Sequence, residues 1–267
     1  MDDPLSANLA SAQRNSLTAE RLTVRVGTRT LVSDLSLEIA PGEFVAILGR
    51  NGSGKTLTLH TLAGLRPSAN GIVRVGGSPL AQMSRRSIAR QLGFLAQDLE
   101  EGFVTTALES VLIGRHPHLS LWEWESDEDE RVARHALAAV DMEDLGGRLT
   151  DTLSGGERRR VAIASLLAQD PAVFLLDEPT NHLDPHHQLV VLSLFRDLAR
   201  AGRAVVATLH DPTLAARFAD RALLLSGEGS WTAGPVTEEI SAAKLSELYV
   251  TPIIEIQQDG RRVFVPD

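Results

Sequence analysis

The chain has 267 residues, no cysteine, and 35 acidic against 26 basic side chains, for a formal net charge of −9. Lack of cysteine excludes disulfides, thiolate metal sites and cysteine nucleophiles, and the acidic balance argues against a basic nucleic-acid groove. A hydrophobic content of 43% excludes wholesale disorder, and no apolar run reaches the ~18 residues that cross a bilayer.

At ~150 residues per domain, the length suits one large domain or two intimate ones. Residues 1–16 are small and polar without periodicity and read as a flexible tail. The start Met1-Asp2-Asp3-Pro4 is acidic where a signal peptide would be basic, so a cytosolic chain is expected. From Ser16 to Ile39 apolar residues tend to alternate (Leu22, Val24, Val26, then Leu35, Leu37, Ile39), which predicts strands of a half-exposed sheet. Phe44–Leu48 is continuous and apolar, the mark of a strand buried on both faces. A glycine-rich loop follows it, then a helix from about Lys55 to Leu65. Ile72–Val75 and Leu92–Ala96 predict two more strands. The acidic, helix-forming stretch from Asp98 to Asp151 reads as a helical insertion. Within it Ser126 and Asp129 form a capping-box pattern, and Val132, Ala136 and Val140 line one helix face.

Beyond the insertion, apolar runs and helices alternate. Strands are predicted at Val173–Leu176, Ala204–Leu209 and Arg221–Leu225, with helices at Gln188–Ala201 and Leu214–Phe218. That order implies a mainly parallel sheet with crossover helices. The C-terminal part predicts a helix over Ala242–Tyr249 and a hairpin turning at Asp259-Gly260.

Gly49-Arg50-Asn51-Gly52-Ser53-Gly54-Lys55-Thr56 fits the phosphate-loop pattern G-x-x-x-x-G-K-[ST], between a buried strand and a helix. Glycines there let backbone N–H groups turn toward phosphate oxygens, and the helix N-terminus adds partial positive charge. Lys55 is one of only two lysines in the chain. It suits the β- and γ-phosphates, and the Thr56 hydroxyl suits Mg²⁺. The strand Ala172–Leu176 ends in Asp177-Glu178: Asp177 is placed for Mg²⁺, and Glu178 to orient and deprotonate an attacking water. No Asn-Lys-x-Asp guanine-reading sequence exists. Leu153-Ser154-Gly155-Gly156-Glu157 reads both as a capped helix start and as a second anion site. One nucleotide rarely meets two such sites of one chain, so a second site would serve a partner's ATP.

Together these segments resemble the ATPase subunit of ATP-binding-cassette (ABC) transporters. GRNGSGKT, LSGGE and VFLLDEP match that family's phosphate loop, signature and magnesium motifs in order and spacing. The resemblance covers roughly residues 18–240 and implies a P-loop α/β fold. That fold has a RecA-like, mainly parallel core, an antiparallel β subdomain and an inserted α-helical subdomain at about 98–160. Residues 17–240 would then be the ATPase domain, and 241–267 a C-terminal extension packed on the core. Gln97 matches the glutamine loop that senses Mg²⁺ and the membrane partner. Asp184, in Asn181-His182-Leu183-Asp184, matches the residue that communicates across the dimer. His210 matches the switch histidine at the γ-phosphate. The resemblance also implies a head-to-tail homodimer sandwiching two ATP molecules, each between one phosphate loop and the partner's Ser154 and Gly156. Val26 stands where the family places an adenine-stacking aromatic.

Glu109–His118 (ESVLIGRHPH) and the C-terminal LSELYVTPI and DGRRVFVPD resemble the branch serving metal-chelate importers for ferric siderophores, haem and cobalamin. That branch implies an integral-membrane permease dimer, a periplasmic or extracellular substrate-binding protein, and a peripheral place on the cytoplasmic face of the inner membrane. Gly102 and Phe103 are candidate permease contacts. An ABC exporter subunit and a soluble ATPase of iron–sulfur assembly share the nucleotide motifs and remain rivals. His182, His186 and His187 are separated by the helix-breaking Asp184-Pro185 and lack a third convergent ligand for zinc. Trp122 and Trp124 are expected to pack the edge of the insertion. The Arg158-Arg159-Arg160 run, in a chain of net charge −9, is not read as a nucleic-acid patch.

Overall fold

The computed structural model describes residues 16–98, 104–120 and 122–267. Residues 1–15 of the N-terminal tail, Gly102 and Phe103 lie outside them, whereas Ser16, expected in the tail, accepts Gly76 N–H at its carbonyl (3.0 Å). Strands β1 (Leu17–Val26) and β2 (Arg29–Ile39) form a long antiparallel hairpin, joined by β4 (Asn70–Val75) and the short β5 (Ser78–Pro79) in the order β2-β1-β4-β5. The second sheet contains β3 (Phe44–Gly49), β6 (Leu92–Leu95), β7 (Val173–Leu176), β8 (Ala204–Thr208), β9 (Arg221–Leu225) and β10 (Trp231–Pro235). Its order is β10-β9-β3-β8-β7-β6. All of its neighbours run parallel except β10, which pairs antiparallel with β9.

Strand β3 shows why the parallel strands are so apolar. Successive side chains point to opposite faces. Phe44, Ala46 and Leu48 enter one core, with Phe174, Leu192 and Phe195. Val45 and Ile47 enter the other, with Leu22, Leu35, Leu59 and Leu62. A strand covered on both sides has no polar face, so it reads as a continuous run.

Helix α1 (Lys55–Leu62) follows β3, and α2 (Arg85–Gln91) precedes β6. The predicted helix to Leu65 stops three residues early, because Gly64 turns left-handed (φ +67°) and ends it. Between β6 and β7 lie α3 (Ala107–Leu112), α4 (Asp127–Ala138) and α5 (Gly155–Gln169), with α3 and α4 packed on α5. Ser126 and Asp129 form the predicted capping box on α4, and Ala136 and Val140 are buried with Val132 packed beside them.

Trp122 and Trp124 depart from expectation. They are 93% and 86% exposed rather than packed on the insertion. A local turn sets them outward: Ser120 N–H donates to Glu123 Oε2 (2.9 Å) and Glu123 N–H to Ser120 O (3.2 Å).

Helix α6 (Pro185–Arg200) starts with Asp184 as N-cap and proline at its first position, where a missing N–H costs nothing. After β8 comes α7 (Pro212–Phe218), then α8 (Val236–Glu239) and α9 (Ala242–Tyr249). The chain closes with the hairpin β11 (Ile253–Gln258) and β12 (Arg261–Pro266). Asp259 and Gly260 both have positive φ, as a tight hairpin turn requires. Phe264 N–H donates to Thr213 Oγ1 (3.0 Å), tying this hairpin to α7. The carboxyl ends of β3, β7 and β8 lie side by side in the sheet, the place where open parallel sheets hold ligands. No helix among the described residues is long and apolar enough to cross a membrane.

Candidate active site

The loop from Gly49 to Thr56 leaves the end of β3 and runs into α1. A side chain at Gly49 would place Cβ 2.5 Å from both Leu225 O and Ser53 Oγ, so only glycine permits this approach. Gly54 caps α1 in a left-handed conformation (φ +102°). No acidic residue occupies the first turn of α1, which leaves its partial positive charge unopposed there. Lys55 is buried inside the loop, and its Nζ donates to Gly49 O (2.8 Å) and Arg50 O (3.4 Å). Burial pulls its pKa down, while the carboxylates of Glu178 and Asp177 push it back up.

Both acids follow β7. Asp177 is fully buried, and its Oδ1 accepts the Thr208 hydroxyl at 2.7 Å. Its Oδ2 is buried without a hydrogen-bond partner. Glu178 is 7% exposed and holds φ +48°, a left-handed conformation that strains a non-glycine residue. Its N–H donates to Thr208 Oγ1 (2.8 Å), so one hydroxyl bridges the two acids. Glu178 Oε1 lies 2.5 Å from His210 Nε2, and Asn181 Nδ2 donates to Oε2. An ionised carboxylate only accepts, which makes His210 Nε2 the donor.

A cleft of about 370 Å³ is lined by Lys55, Thr56, Gln97, Glu178 and His210 among others. Residues predicted from four separate segments therefore converge on one space. Leu31, from β2, also lines it; Val26 sits at the tip of β1, 46% exposed, and does not. A larger cleft of about 550 Å³, between the end of α1 and β4, includes none of the predicted site residues.

Ser154–Glu157 does not line the 370 Å³ cleft. Ser154 is an exposed N-cap of α5. Its Oγ accepts Glu157 N–H (3.2 Å), and Glu157 Oε2 accepts Ser154 N–H (2.7 Å). That hydrogen bond from the Ser154 backbone lowers the Glu157 pKa. Gly156 approaches the next segment closely, since a Cβ there would lie 2.9 Å from His182 O. Asp184 is also outside the cleft, accepting His187 N–H (3.0 Å) and facing His187 Nδ1 (2.7 Å).

The chain matches the ABC transporter family over residues 32–181. It is 41% identical over 234 residues to the hemin import ATP-binding protein HmuV of Streptomyces coelicolor, covering 87% of this chain and 82% of that one. The chain belongs to the ABC transporter family. Members of this kind are ATPases coupled to transport. The ferric enterobactin transport ATP-binding protein FepC of Escherichia coli is 39% identical over 232 residues, covering 86% of this chain and 85% of its own length. Among solved structures, an inward-facing transporter assigned to the metal-chelate type superposes with a TM-score of 0.82. Its identity is 29%, over 95% of this chain and 98% of that one.

Three contributors to the geometry around Asp177 and Glu178 escaped the sequence reading. Thr208 bridges Asp177 and Glu178, Asn181 holds Glu178, and Arg159 lies behind both acids. Thr208 carried a signal: it is the one hydroxyl in the buried run Ala204–Leu209, and buried hydroxyls need partners. Arg159 sits just after the LSGGE segment and Asn181 opens the Asn181–Asp184 segment, and their roles depend on three-dimensional contacts.

Proposed function

We propose that this chain is the ATP-hydrolysing subunit of an importer of metal chelates (a ferric siderophore, haem or cobalamin), acting on a partner permease. The convergence of Lys55, Thr56, Gln97, Glu178 and His210 on one cleft carries the hydrolytic part of this reading. The names of the hemin and ferric enterobactin relatives, and the metal-chelate type of the structural neighbour, support the cargo class and favour an importer over an exporter.

Residues 49–56 bind the phosphates through backbone N–H groups, the α1 N-terminus and Lys55. Glu178 accepts the proton of the water that attacks the γ-phosphorus, as the bond to ADP breaks. Its two oxygens are held in direction by His210 and Asn181. Thr208 fixes the turn that presents it.

The Thr56 hydroxyl, the Gln97 side chain and the unpartnered Asp177 Oδ2 make a hard oxygen set that fits Mg²⁺. When bound there, the ion would neutralise charge on the phosphates.

Ser154 and Gly156 lie outside their own chain's cleft, which supports the reading that their ligand is the ATP of a second copy. Two chains arranged head to tail place each signature against the other's phosphate loop, with Asp184 communicating across the join. Residues 17–240 form the cassette, about 98–160 its helical subdomain and 241–267 the extension. The complex sits on the cytoplasmic face of the inner membrane, with a permease dimer and an external substrate-binding protein.

The test is the mass of the Glu178→Gln chain in solution with saturating ATP and Mg²⁺. A dimer that reverts to monomer when ATP is removed, and is lost on Ser154→Arg substitution, is the expected result. A Glu178→Gln chain that binds ATP and stays monomeric overturns the sandwich.

A further inference from the structure

The run Arg158-Arg159-Arg160 lies on α5, one turn beyond Ser154. None of the three forms an ion pair among the described residues; each donates to backbone carbonyls instead. Arg158 Nη1 reaches Leu153 O (2.5 Å), within the signature itself. Arg160 Nη1 reaches Val140 O (3.0 Å) and Asp141 O (2.9 Å), beyond the end of α4. Arg159 points the opposite way, into the protein, and is only 1% exposed.

The Arg159 guanidinium meets five carbonyls from two segments. Nη1 donates to Ala96 O and to Gln97 O (3.3 Å), just after β6. Nη2 donates to Asp177 O (2.5 Å) and Glu178 O (2.8 Å), and Nε to Pro179 O (3.4 Å), just after β7. Burial lowers its pKa to about 10, opposed by the carboxylates of Asp177, Glu178 and Asp98, so it is charged at neutral pH. A buried cation without a directly paired anion is expensive to maintain, and here the cost is offset by hydrogen bonds to carbonyls that an apolar side chain would leave without this partner. What only the planar fork supplies is fixed geometry between its acceptors.

We infer that Arg159 is a positioning residue for ATP hydrolysis, linking the signature helix to the backbone of both Gln97 and Glu178. Its side chain bonds the carbonyls of those two residues rather than the cleft they line. A shift of α5 therefore carries the Gln97 segment and the Asp177–Glu178 segment together. This rests on the reading of Gln97 and Glu178 as hydrolytic residues.

The experiment compares the full native chain with Arg159→Met and Arg159→Lys. It measures steady-state ATP hydrolysis per folded, nucleotide-binding molecule, and amide exchange at residues 96–98 and 177–178. Both variants are expected to lower kcat at least tenfold while the KM for ATP stays within twofold. Both segments should exchange faster than in the native chain. A mere space-filling role lowers thermal stability but leaves kcat per folded molecule within twofold of native, and that result overturns the inference. Loosening of only one segment overturns it too. Should Arg159→Met not fold, Arg159→Lys, which keeps the charge without the fork, is read by the same criteria. Glu178→Gln is assayed in parallel: native turnover there refutes the hydrolytic reading itself, whatever Arg159 does.

Discussion

Glu178 Oε1 and His210 Nε2 stand 2.5 Å apart, although 32 residues separate them in the chain. The contact exists because β7 and β8 are adjacent and parallel, so both chain segments emerge at one edge of the sheet. Glu178 reaches it from a left-handed backbone conformation, fixed by its N–H bond to Thr208. Local strain at a carboxylate with both oxygens engaged fits a group whose direction matters more than its stability.

Replacing Glu178 with glutamine keeps the side chain's size and removes its capacity to take a proton. ATP hydrolysis should fall by about 10²–10⁴-fold, the usual contribution of a general base. ATP affinity should change little, because Lys55 and the loop backbone are untouched. Single-turnover hydrolysis, measured with equilibrium nucleotide binding, checks both halves of the expectation.

Thr208 accepts from Glu178 N–H and donates to Asp177 Oδ1. Thr208→Val leaves a buried donor and a buried carboxylate oxygen unpaired, at a cost of about 1–3 kcal/mol. Turnover should fall with stability, since the turn carrying Glu178 loses its anchor. Thr208→Ser, which restores the hydroxyl, should recover most of both. Thermal unfolding and kcat of the two variants test this; equal losses in both would contradict the bridging role.

The acid limit of stability should depend on Asp129. Its carboxylate accepts the Ser126 hydroxyl (2.6 Å) and backbone N–H (3.0 Å), and Arg115 Nε (2.8 Å). Those bonds lower its pKa from 3.8 to about 2. A carboxylate with a depressed folded pKa releases its proton more readily in the folded state. Its contribution is therefore complete above about pH 4 and disappears as pH falls toward 2. The size is ~2 kcal/mol, from the free energy of a pKa shift. Urea unfolding of Asp129→Asn should show a lower plateau at neutral pH and a flatter decline between pH 4 and 2 than the native chain.

Much of this site is written in consecutive residues. The phosphate loop is legible because its glycines, Lys55 and Thr56 must be neighbours to wrap one phosphate group. Asp177-Glu178 is legible because a buried apolar strand ending in two acids has few other uses. The parallel strands announce themselves as apolar runs, since both of their faces are covered. Other features need the folded chain. Net charge sets the Arg158-Arg159-Arg160 run aside as a nucleic-acid patch without separating its members, and the fold sends Arg159 alone inward, 1% exposed. Trp122 and Trp124 looked like packing residues, but the Ser120–Glu123 turn sets them outward. The glycine-rich loop marked the start of α1, while a single glycine at position 64 decided its end.

The most direct test replaces the native chain by Glu178→Gln in its source cell and follows uptake of labelled ferric siderophore, haem and cobalamin side by side. Selective loss of one cargo, with the variant expressed at the native level, is the result this account predicts. Undiminished uptake of all three, in a cell without a redundant system, would contradict it.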